Sequence, residues 1–303
     1  MISPDISKED VEEGPLVDGF LLGLPKCGTT WLANILSQNP SIAFSEPKEP
    51  NMIATHRGTF GRALEEPDLE EYGKVFSGGG FRVDGSVHAF SCPLAPKRVF
   101  SINPESRFVI CLREPVQRAF SHWKMVKDNR KDLRHGCDWS EFKAGWGDSR
   151  LRDDSLWSES MNRWLKYFDI GRFLLIDSER MKTMPNSALK EITLHFGLPE
   201  YRYDAQEKVD ANTSRRRRSL TSIGGVFKGA IGLIPNGARA LLARPLQKRQ
   251  LNIYNLPIIS VKGDSSELTG EHYNTCKADV VPDLVEFERI TGFSTAHWVD
   301  AFD

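Results

Sequence analysis

Residues 23–31, GLPKCGTTW, stand between a short apolar run at 20–23 and a helical pattern at 29–37 in which Leu32, Ile35 and Leu36 share one face. A strand that runs through a glycine-containing turn into a helix makes a cradle for an anion. The start of a helix presents N–H groups that have no partner inside it, together with the positive end of its dipole. Gly28 lets the backbone approach a bound group closely, Thr29 and Thr30 add hydroxyl donors, and Lys26 adds a mobile point charge. Gly23 and Gly28 match the glycine spacing of the phosphate loop G-x-x-x-x-G-K-[ST], but Thr29 stands where that loop has lysine. The lysine lies inside the loop instead, placed for the 5′ end of a nucleotide rather than for a triphosphate tail.

Short apolar runs alternate with helical stretches along most of the 303 residues. This predicts an α/β chain: a P-loop-like three-layer fold whose central parallel sheet is flanked by helices. Strands are expected at 20–23, 42–45, 81–84, 107–112 and 172–177, and FVICL and FLLI have the composition of strands buried on both faces. Helices are expected at 29–37, 116–127, 155–168, 188–196 and 282–292. A single domain over 1–303 accommodates all of them, with an acidic segment at 1–17.

Forty Lys and Arg against 41 Asp and Glu leave a net charge of −1, which argues against electrostatic capture of nucleic acid by the chain as a whole. No stretch approaches the roughly 20 apolar residues of a membrane span. The acidic start lacks a basic-then-apolar leader, and five cysteines without a CxxC suit free thiols, so a cytoplasmic location is expected. The near-neutrality fails locally. Residues 211–263 hold ten Lys and Arg and no acid, and read as a solvated basic face, a linker, or a lid over an anionic ligand.

The strand at 107–112 runs directly into Arg113, with Ser121 about two helical turns further on. Arg113 belongs at the carboxyl edge of the sheet, where open α/β folds bind ligands. A guanidinium fork and a hydroxyl there suit a second phosphate, whereas an arginine alone at that edge also suits an ion pair with Glu114.

Taken together, PKCGTTW resembles the 5′-phosphosulfate loop, and LREPVQRAFSHW the 3′-phosphate motif, of sulfotransferases that use 3′-phosphoadenosine 5′-phosphosulfate (PAPS). NPSIAFSEPKEPNMIA, RVDGSVHAF and PKRVFSINPESRFVICLREP follow the order of the carbohydrate, heparan-type and bacterial branch. EFERITGFSTAHW resembles the C-terminal end of its bacterial members. The resemblance covers most of 18–200 and the tail, and is weakest over 219–280. It implies that Lys26, Cys27, Gly28, Thr29, Thr30 and Trp31 hold the 5′-phosphosulfate and that Arg113 and Ser121 hold the 3′-phosphate. It also implies a late loop closing over the nucleotide, at the place of Asn212, Arg215, Arg216 and Arg217. The product would be 3′-phosphoadenosine 5′-phosphate (PAP).

Sulfuryl transfer needs in-line placement and a cation for the charge that develops on the leaving phosphate, a task for Lys26. No HExxH, carboxylate cluster or paired cysteines suggest a metal, and none is required. The acceptor, a hydroxyl or amine of a small molecule or carbohydrate, needs a base. Glu49, in KEPN, matches the glutamate base of the heparan-type enzymes by resemblance. His88, in GSVHAF, lies roughly where cytosolic sulfotransferases carry a histidine, and His56 is a third candidate. Gly85 departs from the carbohydrate branch, which more often has a lysine there, and this weighs against an anionic glycan acceptor. Phe81 and Phe90 are open to acceptor stacking or to packing. Two other classes compete: a P-loop NTPase or kinase using ATP and Mg, with Asp177 ending a Walker-B-like strand, and a membrane-surface module binding through 211–262.

Overall fold

The computed structural model describes residues 16–205, 218–220, 260–262 and 266–302. Their contacts divide them into two compact units. One comprises 16–115, 153–205 and 279–302, and the other 116–152 with the described parts of 208–278.

The first unit is built on β1 (Gly19–Leu21), β2 (Ile42–Phe44), β5 (Phe81–Asp84), β6 (Arg107–Leu112) and β7 (Phe173–Asp177), with a small antiparallel hairpin, β3 (His56–Arg57) and β4 (Gly61–Arg62), between β2 and β5. The five form one parallel sheet in the order β2-β5-β1-β6-β7, as the apolar runs predict. From β1 the chain goes to one side for β2 and β5, then to the other for β6 and β7. The order therefore reverses between β1 and β6, and the crevice beyond their carboxyl ends is where such sheets take ligands.

β6 is the centre of the core, and Phe108 to Leu112 are all fully buried. Phe20, Phe108 and Phe173 are register partners on β1, β6 and β7. Their rings stack at 5.8 and 4.6 Å, while Trp164 and Phe168 press edge-on against Phe108 at 5.1 and 4.7 Å. Successive strand residues face opposite sides, so Cys111 points the other way and meets the Met181 sulfur at 3.9 Å. Phe108→Ala should cost about 3–5 kcal/mol in a denaturant titration, because the four surrounding aromatic rings fix the shape of the void it leaves. Leu64→Ala, at a side chain 76% exposed, should stay within about 0.5 kcal/mol.

Element ends differ from expectation for local reasons. β1 closes at Leu21, but Leu22 and Leu24 still donate to the carbonyls of Val109 and Cys111, so the ladder to β6 extends into the cradle. The helix expected at 155–168 is Ser158–Trp164, because Asp283 accepts from the N–H groups of Trp157 and Ser158 and fixes its start. The helix expected from Pro282 runs Gly270–Thr291 with Pro282 inside it, where the proline has no N–H to give to the helical ladder. Trp157 and Trp164 are core residues, as is Phe90, and Phe81 stacks on Phe196 at 4.7 Å. Both phenylalanines are therefore packing residues.

The second unit takes the rest of the helix that starts at Pro115 (Pro115–Asp128). Trp123 donates to the Trp139 carbonyl at 2.8 Å, and buried Arg118 donates to the Leu151 carbonyl at 2.8 Å. Arg218–Leu220 and Ser260–Lys262 pair as an antiparallel ladder. Among the described residues no helix is long and apolar enough to cross a membrane.

Candidate active site

The loop after β1 turns tightly enough to aim a helix at the crevice. Cys27 N–H bonds back to the Leu24 carbonyl, Lys26 and Gly28 take φ of 76° and 86°, and α1 (Thr29–Leu36) starts at once. Such φ values cost a side chain strain that glycine avoids, so Gly28 suits the turn and Lys26 is held there against preference. Gly28 and Thr30 are exposed at the mouth, whereas Thr29 and the Cys27 thiol are buried. Cys27 therefore offers the site its backbone rather than its sulfur. Trp31 is half-buried, and its indole N–H lies inside the protein with no partner among the described residues.

Arg113 follows β6, the strand beside β1, and its guanidinium Nη1 donates to the Lys26 carbonyl at 3.4 Å. Lys26 and Arg113, 87 residues apart and each expected to bind an anion, thus meet at the switch point of the sheet. Ser121 is half-buried on Pro115–Asp128, within the second unit. Asn212, Arg215, Arg216 and Arg217 lie outside the described residues.

The candidate bases hang from the ends of β2 and β5. The carbonyl of Lys48 accepts from the Ser45 hydroxyl at 2.9 Å and from Gly85 N–H at 3.1 Å, and Asn51 N–H donates to Ser86 Oγ at 2.9 Å. Glu49 is therefore carried on backbone pinned on both flanks. Its Oε1 accepts from Lys48 Nζ at 2.9 Å, and its side chain is 36% exposed. Beneath this loop, buried Asp84 accepts from the Tyr72 hydroxyl at 2.6 Å and from Ser86 N–H at 2.7 Å. Burial pushes the Asp84 carboxyl up, against the pull of those hydrogen bonds and of the Lys48 charge.

His88 sits on the short 3₁₀ turn Val87–Ala89, buried, with Nδ1 3.9 Å from the carboxylate of Asp154. Asp154 also accepts from the Ser91 hydroxyl at 3.0 Å. His56 belongs to a different cluster. Burial pushes the Cys92 thiol up, but hydrogen bonds from His56, from the Thr55 hydroxyl and N–H, and from Leu94 N–H outweigh it and hold the thiol at about 6. These contacts tie the β3–β4 hairpin to the segment after His88. Asp177 is also committed: it caps the next helix by accepting from Glu179 N–H at 2.7 Å, and its other oxygen lies 3.2 Å from His297 Nε2. Both oxygens are engaged, which weakens the NTPase reading that needs Asp177 to hold Mg.

The sulfotransferase domain family matches residues 17–217. The chain belongs to that family. Among curated relatives, it is 25% identical over 197 residues to the bifunctional heparan sulfate N-deacetylase/N-sulfotransferase 1 of Caenorhabditis elegans, covering 62% of this chain and 23% of that protein. It is 23% identical over 195 residues to the heparan sulfate glucosamine 3-O-sulfotransferase 6 of Mus musculus, covering 59% and 52%. The matched part of the chain thus spans about a quarter and about half of the length of these two relatives. A sulfotransferase from Alicyclobacillus acidocaldarius shares the fold, with a TM-score of 0.59 at 16% identity over 93% of this chain and 98% of that one.

The structure brings Lys26 of the expected cradle to Arg113, and it places Glu49 and His88 after the ends of β2 and β5. Sequence reasoning gave Lys48 no role although Lys48 adjoins Glu49, and it missed Asp154, Tyr72 and the Cys92–His56 contact, for which the sequence carries no local signal.

Proposed function

We propose that this chain transfers a sulfuryl group from PAPS to a hydroxyl or amine of a carbohydrate or small molecule. The observation that carries this reading is the bond from Arg113 to the Lys26 carbonyl, which sets the 3′-phosphate motif against the 5′-phosphosulfate loop. The cradle fits such a donor: it offers the first N–H groups of α1, which have no partner inside the helix, an exposed Thr30, an exposed glycine backbone and two cations. The bound donor supplies an activated sulfuryl group on a phosphate leaving group.

The residues then divide the work. Lys26 meets the charge that builds on the leaving phosphate, in a site where a preorganised cation is worth more than in water. Arg113 recognises the 3′-phosphate as a planar fork. Glu49 accepts the proton that the acceptor hydroxyl or amine gives up as it attacks.

Calorimetry with PAP tests the assignment directly. PAP should bind the intact chain, and Arg113→Ala should weaken that binding about 10- to 100-fold, the worth of a hydrogen-bonded charge pair. Absence of PAP binding by the unaltered chain would remove the reading.

A further inference from the structure

Lys48 makes two side-chain contacts among the described residues, to Glu49 Oε1 at 2.9 Å and to the Gly85 carbonyl at 3.2 Å. To reach them it crosses the carboxyl end of β5, the strand between β2 and β1. Residue 85 has to be glycine for this path to be open. A Cβ there would lie 2.8 Å from the Lys48 carbonyl oxygen, 2.9 Å from its Cγ and 3.4 Å from its Cε. The same carbonyl oxygen is gripped by Ser45 and Gly85, so the lysine backbone cannot retreat to make room. The stem of Lys48 thus occupies the space that any side chain at position 85 would fill.

The consequence falls on Glu49. Its Oε1 is engaged by the ammonium, and its Oε2 has no partner among the described residues. Holding one oxygen narrows the orientations of the carboxylate and leaves the other oxygen to meet a proton at hydrogen-bond distance, as a base must. The Lys48 and Glu49 side chains are 22% and 36% exposed, so the pair borders solvent, and the second bond of the ammonium, to the Gly85 carbonyl, anchors it.

We propose that Lys48 is the positioning residue for the base: it clamps Glu49 by Oε1 and leaves Oε2 to take the acceptor's proton, and Gly85 is the opening that lets it do so. This inference rests on the proposed sulfuryl transfer with Glu49 as base. No bond to Lys48 forms or breaks. The proton passes from the acceptor to Glu49 Oε2 and afterwards to water.

The test is a cycle of four chains, unaltered, Lys48→Met, Glu49→Gln and the double variant. Each is assayed for release of PAP from PAPS with 4-nitrophenol, with a glucosamine oligosaccharide, and with water alone as acceptor. Lys48→Met should lower kcat at least 10-fold in the unaltered background at constant KM for the donor, and should cost less than 2-fold once Glu49 is glutamine. Lys48→Arg should recover most of the loss, and Gly85→Ala should reproduce it. An equal loss from Lys48→Met in both backgrounds, or no loss in either, overturns the proposal. A second readout needs no turnover. Amidation of Glu49 by glycine ethyl ester, after activation with a water-soluble carbodiimide that leaves as its urea, is followed by mass spectrometry and should accelerate at least 3-fold in Lys48→Met and not in Lys48→Arg, and an unchanged rate counts against the clamp. Failure of the unaltered chain to bind PAP would sink the sulfuryl-transfer reading instead, and the amidation result would still decide whether Lys48 holds Glu49.

Discussion

Lys26→Ala should lower sulfuryl transfer about 10²–10³-fold while leaving the fold and most of the PAP affinity intact. The size follows from the kind of interaction lost. A positioned donor that meets charge only as it develops contributes to the transition state more than to the bound ground state, and removing one such group costs that much. The fold should survive because the turn is set by Cys27 N–H on the Leu24 carbonyl and by Leu24 N–H on the Cys111 carbonyl. Neither bond uses the Lys26 side chain. Its φ of 76° also means that alanine inherits the same backbone strain, without a new clash. The measurement is single-turnover PAP release beside PAP calorimetry. Turnover within 3-fold of the unaltered chain would move the charge-stabilising role off Lys26. A parallel collapse of PAP affinity would mean that it serves binding instead.

Much of this framework could be read from the sequence because its signals are local. Most of the five strands are short apolar runs, and β6, buried on both faces, has no polar residue from Phe108 to Leu112, whereas β7, expected to be buried likewise, leaves Leu174 and Leu175 only half-buried. The cradle is local too, since its chemistry resides in consecutive backbone N–H groups and in glycines that a sequence displays directly. What escaped is what depends on distant partners. The β3–β4 hairpin has two residues in each strand, too few for any alternation to register. The start at Ser158 is set by Asp283, 125 residues away. Lys48 reaches Gly85 across 37 residues, and Ser91 meets Asp154 across 63, so nothing in KEPN or GSVHAF announces either contact. Pro282 misled for another reason: proline is a helix starter by preference, yet one missing bond does not end a helix of 22 residues.

Glu49→Gln should be the most damaging substitution on the acceptor side, lowering kcat about 10²–10⁴-fold with PAP affinity unchanged. Glutamine keeps the shape and can still accept from Lys48 through its carbonyl oxygen, so the change removes basicity and little else. His88 competes for the role, and the geometry separates the two. A base has to come within about 3 Å of the proton it takes, directly or through one water. Glu49 presents a 36%-exposed side chain with one oxygen without a partner among the described residues. His88 is 8% exposed, packed on a 3₁₀ turn with its Nδ1 facing the Asp154 carboxylate at 3.9 Å. A histidine so enclosed orders the segment Val87–Ala89 and the loop that Ser86 ties to Asn51. His88→Asn should therefore reduce kcat less than 10-fold and show its effect mainly in the KM for the acceptor. The comparison is made on labelled-donor turnover, with PAP calorimetry reporting that each variant is folded. If His88→Asn abolishes turnover and Glu49→Gln leaves it within 10-fold, the base is His88, oriented by Asp154, and Lys48 loses the group it is proposed to position.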